Sequence, residues 1–176
     1  MKFLKWLLGG VLVLVAVLLL GGLLVSPQFE LSRSVTINAP PERIYPLIAD
    51  PKRWSEWTEW NRRDPAMQMS YSGPTSGAGA GWAWTSKTEG EGRMSFTTAE
   101  LNKRLGYELF FPEFESSSMG ELSLIAEGPA TRVTWSMRGH MGGNPMHRWM
   151  GLMMDRMVGP DFEAGLKNLK KLAESA

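Results

Sequence analysis

The sequence predicts an α+β domain carried behind one long apolar helix. Three observations predict it. The N-terminus holds an unbroken apolar run, the middle of the chain alternates apolar and polar residues with a period of two, and the last third returns to helical spacing.

The apolar run is Trp6 to Val25, twenty residues of Trp, Leu, Val, Ala and Gly alone. At ~1.5 Å per helical residue it spans roughly 30 Å, the thickness of a bilayer core. A soluble surface helix keeps one polar face, and this run has none. The rival reading is a cleaved signal peptide, whose apolar region is shorter (about 7–15 residues) and ends at a small-x-small site. Leu23-Leu24-Val25 is a poor context for cleavage. Residues 1–27 are therefore expected to be an anchor and linker, and 28–176 one domain. Lys2 and Lys5 precede the run, which favours an inside N-terminus and an outside domain. In a bacterium this is a single-pass protein of the inner membrane whose C-terminal domain faces the periplasm.

Removing Lys2 and Lys5 from the 19 basic residues leaves 17 against 18 acidic ones, a net charge near −1. So balanced a domain has no electrostatic footprint for nucleic acid. Without cysteine, thiolate nucleophiles and cysteine metal sites are excluded.

Leu31, Arg33, Val35 and Ile37 alternate with polar residues and predict the first strand. Pro40-Pro41-Glu42 opens a helix to about Ala49, since proline costs little in a first helical turn. A second short helix is expected around Arg53–Trp60. About six antiparallel strands follow, to His140. Val133, Trp135 and Met137, alternating with Thr134, Ser136 and Arg138, give the clearest one. Gly73-Pro74, Glu89-Gly90, Asn102-Lys103 and Gly128-Pro129 supply turns. Short connections imply a meander.

Asn144-Pro145 signals a helix start, and Met146, Trp149, Met150, Met153, Met154 and Met157 fall on one of its faces. Gly159-Pro160 is expected to break this helix. It resumes with Phe162, Leu166, Leu169, Leu172 and Ala173 inward. The segment from Pro145 to Val158 is expected to lie across the open side of the sheet and move as a lid.

Several motifs carry less than they suggest. The glycine-rich stretch Gly73–Gly81 lacks the Lys-Ser/Thr and the helix of a phosphate loop, and reads as a hairpin. His140 and His147 lack the partners of a metal or general-base site and read as ordinary polar residues at a strand end and a helix start. Asp155 and Asp161 do not read as an acid–base pair; Asp155 is expected in solvent and Asp161 as the cap of the resumed helix. Trp54, Trp57 and Trp60 recur every three residues, as packing onto the sheet or as an aromatic wall at a ligand entrance. The methionine stripe suits core packing or a surface accepting varied apolar partners. No catalytic residue, metal site or cofactor is expected.

The order of these elements resembles the helix-grip fold, the superfamily of START lipid-transfer domains, plant pathogenesis-related allergens and polyketide cyclases. The local sequence is similar to its bacterial polyketide cyclase/dehydrase-like branch, the SRPBCC proteins, here in a membrane-anchored form. The residues that carry this are Val35-Thr36-Ile37-Asn38-Ala39-Pro40-Pro41-Glu42, Trp54-Ser55-Glu56-Trp57, Tyr71-Ser72-Gly73-Pro74, Gly79, Val133-Thr134-Trp135 and Met157-Val158-Gly159-Pro160-Asp161-Phe162. The resemblance implies a curved antiparallel sheet of about seven strands gripping a long C-terminal helix, with an apolar cavity between them. Trp82 and Trp84, Met94 and Phe96, Tyr107 and Leu109, and Trp135 and Met137 would line it from the strands. Met150, Met153, Met154 and Met157 would line it from the helix.

The resemblance supplies no shared catalytic set, so fold does not deliver function. The leading expectation is a monomeric, membrane-tethered domain that binds a hydrophobic small molecule or lipid. The alternatives are a cyclase- or hydrolase-like enzyme, needing a buried carboxylate or histidine in the cavity, and a protein-interaction module related to chaperone-ATPase activators, needing an exposed patch on the sheet.

Overall fold

The structure is a computed structural model describing residues 2–114 and 116–175; Met1 and Ala176, the outer limits of the expected anchor and domain, lie outside the described residues. Helix α1 (Lys2–Leu24) leads through a three-residue link into β1 (Gln28–Ile37). Helices α2 (Pro41–Ala49), α3 (Trp54–Trp57) and α4 (Trp60–Arg63) follow, with a 3₁₀ turn at Pro51–Arg53. The meander is β2 (Gln68–Ser72), β3 (Gly81–Thr85), β4 (Glu91–Glu100), β5 (Arg104–Phe111), β6 (Ser116–Glu127) and β7 (Ala130–His140). Helices α5 (Pro145–Gly151) and α6 (Met154–Ser175) end the chain.

The seven strands form one antiparallel sheet in the order β1-β7-β6-β5-β4-β3-β2. β1 pairs along its whole length with β7, from Gln28 opposite His140 to Ile37 opposite Thr131. Alternation fixes which face is inward: Thr131, Val133, Trp135 and Met137 are buried while Arg132 and Arg138 are exposed. A register shift between Phe96 and Thr98 on β4 marks an irregularity in its pairing with β5. The Gly73–Gly81 stretch joins β2 to β3 as a hairpin loop, tied down by Gly79 N–H donating to Phe96 O at 2.8 Å.

The expected second helix is instead two single turns. Trp54 Nε1 donates to Ile48 O (2.7 Å) and Trp57 Nε1 to Leu47 O (3.1 Å), binding α3 to the end of α2. Thr58 ends α3: its backbone is extended, and both its N–H and its hydroxyl donate to Trp54 O (2.9 Å each), capping that carbonyl. Trp54 sits at the centre of the core. The rings of Trp57, Trp82, Phe96, Tyr107 and Trp135 surround it at centroid distances of 4.8–5.7 Å.

The expected helix break at Gly159-Pro160 does not occur. The chain breaks at Leu152-Met153, and α6 runs unbroken through Pro160. Interior proline costs about 3 kcal/mol, so other interactions must offset it for the helix to continue. Arg33 on β1 supplies two: its guanidinium donates to Asp155 (2.8 Å) on one side of Pro160 and to Glu163 (2.6 Å) on the other. Gly159 lies between them on the same face, buried under the guanidinium. Burial of Phe162, Leu166 and Leu169, at roughly 1.5–3 kcal/mol each, outweighs the proline.

Candidate ligand cavity

Between the sheet and α6 the aromatic core does not close, and a cavity of about 620 Å³ remains. Its floor is Trp54, Trp82, Met94, Tyr107 and Leu109. Its roof is Met150 on α5 with Met154, Met157 and Phe162 on α6. The size lies within the ordinary range for small-molecule sites.

Nine of the twelve residues expected on the wall line this space: Trp82, Trp84, Met94, Tyr107, Leu109, Met137, Met150, Met154 and Met157. Three do not. Phe96 points inward but is covered by Trp54 and Trp82. Trp135 is sealed behind Phe162, whose ring stacks on it at 3.9 Å and 8°. Met153 lies in the turn between α5 and α6 and is 53% exposed, because the break there rotates it off the methionine face. The same break splits the rest of the stripe: Trp149 turns to α1, and Met146 is exposed.

Other wall residues were not expected. Phe29 lines the cavity because β1 begins at Gln28, three residues before the expected start; Phe29 and Leu31 share one period-two face, a signal present in the sequence. Met67 and Met69 belong to the short β2 region, where too few residues alternate to show a pattern. His140 and His147, expected as ordinary polar residues, both stand at the cavity rim. His140 Nδ1 accepts from Gly142 N–H at 2.9 Å.

A charged cluster borders the wall at Trp60 and Glu89. Arg63 donates through both faces of its guanidinium, to Glu89 (2.9 Å at each oxygen) and to Asp161 (2.6 and 2.9 Å). Trp60 Nε1 also donates to Asp161, at 3.2 Å. Asp161 is thus a bridge from α6 to α4 and not a helix cap, since the helix never restarts there. Asp155 is exposed, as expected, and from the surface it pairs with Arg33.

Tyr107 is the deepest titratable group on the wall. Burial pushes its phenol well above its ordinary value, and the N–H of Trp135, donated at 2.7 Å, pulls weakly the other way. It therefore stays protonated at neutral pH, as a hydrogen-bond donor.

At the rim, α5 is seated on the end of α1. Arg148 donates to Leu23 O (3.0 Å) and Trp149 Nε1 to Leu18 O (2.9 Å). Gly21 and Gly22 form the seat: a Cβ on Gly21 would come within 2.9 Å of the Trp149 ring, and one on Gly22 would overlap the backbone of Pro145. Among the described residues α1 is the one helix long and apolar enough to cross a membrane.

The family model described as polyketide cyclase/dehydrase and lipid transport matches residues 28–174. Comparison with curated proteins by sequence gives no match. Among solved structures, one from Thermobifida fusca is similar at 19% identity and TM-score 0.63, over 82% of this chain and 92% of its own. A protein of Mesorhizobium loti gives 18% and 0.59, over 84% and 98%. The Aha1 dimer of Colwellia psychrerythraea gives 18% and 0.58, over 82% and 96%. At such identities the likeness carries the fold alone. With the family model covering the whole sheet and α6, the chain belongs to the polyketide cyclase/dehydrase and lipid transport family of helix-grip domains.

Proposed function

We propose that this chain holds a hydrophobic small molecule or lipid in its cavity while α1 tethers it to a bilayer. One observation carries the reading: the helix that roofs the cavity, α5, is the helix that docks on α1. His147 and Met150 face the cavity while Pro145 and Trp149 face the anchor. Leu18 and Leu23 lie within the last turns of the apolar run, so the rim sits at the level where a bilayer core would end. A ligand dissolved in the membrane then reaches the cavity without crossing water. The family description, which includes lipid transport, supports the same reading.

The test is titration of the full-length chain in lipid nanodiscs with the uncharged fluorescent probe N-phenyl-1-naphthylamine, against empty nanodiscs as the blank. Saturable fluorescence at one probe per chain is expected. Fluorescence no greater than the blank would count against the cavity as a ligand site.

A further inference from the structure

The most buried polar group on the cavity wall has an unused donor. Tyr107 is 1% exposed and lines the cavity. Trp135 Nε1 donates to its hydroxyl oxygen at 2.7 Å. That bond occupies a lone pair and turns the phenol's own hydrogen away from the indole. The hydroxyl makes no other hydrogen bond among the described residues.

The group cannot swing out to find a partner. Trp135 is clamped by its stack on Phe162, and Trp54 meets the Tyr107 ring edge-on at 5.6 Å. On β6, Gly120 leaves open the space that the Tyr107 ring and hydroxyl fill, where any Cβ would collide with them. A buried donor without an acceptor, on a residue that lines an apolar cavity, is costly, and a ligand oxygen that reaches it removes that cost.

We infer that Tyr107 is the polar selector of the cavity, and that its ligand is an uncharged apolar molecule carrying one hydrogen-bond-accepting oxygen, a ketone or hydroxyl, at its buried end. This rests on the proposal that the cavity binds a ligand. Charge argues for a neutral end. No lysine or arginine lines the cavity among the described residues, and Arg63 at its edge is committed to Glu89 and Asp161. His140 and His147 stand at the rim, so a carboxylate at the buried Tyr107 end would find no counter-ion beside it. The raised phenol donates a hydrogen bond and contributes no charge of its own.

Three probes of one size test this: 2-acetylnaphthalene, 2-isopropenylnaphthalene, in which the carbonyl oxygen is replaced by CH₂, and 2-naphthoate. Binding is measured by equilibrium dialysis against full-length protein in nanodiscs, with empty nanodiscs as the blank. Tyr107→Phe should weaken the ketone about 5–10-fold, the range of one neutral hydrogen bond, and leave the alkene within about 2-fold. The naphthoate should bind more weakly than the ketone to the unaltered protein. The infrared carbonyl band of bound 2-acetylnaphthalene adds a readout that needs no variant. It should lie below its position in hexane in the unaltered protein, and return towards it in Tyr107→Phe. Equal losses for ketone and alkene, or a hexane-like band in the unaltered protein, would overturn the selector role and leave the cavity reading standing. Failure of all three probes to bind would overturn both.

Discussion

The guanidinium of Arg33 occupies the space in which a Cβ on Gly159 would sit. This accounts for α6 continuing through Pro160, where its sequence reads as broken. Gly159 makes room for the cation, and the cation spans Pro160 from Asp155 to Glu163. The relationship predicts a non-additive pair. Glycine to alanine within a helix gains roughly 0.5–1 kcal/mol, but here it displaces Arg33 from two ion pairs of about 0.2–1 kcal/mol each. Gly159→Ala should therefore change the unfolding free energy by less than about 0.5 kcal/mol in the unaltered protein, and stabilise Arg33→Ala by up to about 1 kcal/mol. Urea unfolding of the four proteins measures this, and equal effects in both backgrounds would count against the staple.

The same ion pair sets an acid limit. The Arg33 hydrogen bond holds the Asp155 carboxyl below its ordinary value. A depressed carboxyl contributes stability that is full above its unfolded value, near 4, and lost as pH falls through the lower folded one. The midpoint of thermal unfolding should fall less steeply below about pH 4 in Asp155→Asn than in the unaltered protein. A residual slope should remain, because Glu100, paired with Arg104, and Glu174, accepting from Asn38 N–H, are also held low.

The roof helices predict an asymmetry between neighbours. Met150 lines the cavity and Met153 is exposed. Met150→Glu places a charge against apolar wall and should weaken binding of an apolar probe by at least about 1–3 kcal/mol. Met153→Glu should leave it unchanged. Probe titration of both folded variants decides, and equal losses would place Met153 on the wall after all.

Docking of α5 on α1 depends on two glycines. Gly22→Leu drives a side chain into the Pro145 backbone, whereas Gly9 has open space around it and serves as the control. Amide hydrogen exchange in residues 145–151 should speed up in Gly22→Leu and stay unchanged in Gly9→Leu. The core strand β7 should keep its protection in both.

Much of the fold was legible because a period of two and a period of 3.6 are strong signals over long elements. The β7 alternation, the twenty-residue apolar run and the inward face of α6 all read directly. Local reasoning failed where a distant residue decided. Gly159-Pro160 is a fair break signal, and nothing near it in the chain announces Arg33, 126 positions earlier. The true break at Leu152-Met153 is announced by Gly151 alone, a weaker signal than Gly159-Pro160, so the methionine stripe read as one face. Of the cavity wall, the strand residues followed from alternation. Trp135 and Phe96 were misplaced because alternation gives the inward face and not which inward residue another ring then covers. Tyr107 was on the expected wall, but its free donor follows only from the Trp135 contact across β6.

Native mass spectrometry of the full-length chain, extracted with detergent from the cells that produce it, tests the central claim most directly. The account predicts one added mass per chain, an uncharged apolar molecule containing oxygen, present in the unaltered protein and in Met153→Glu and lost in Met150→Glu. A bare protein mass from every preparation, or an added mass that Met150→Glu retains, would contradict it.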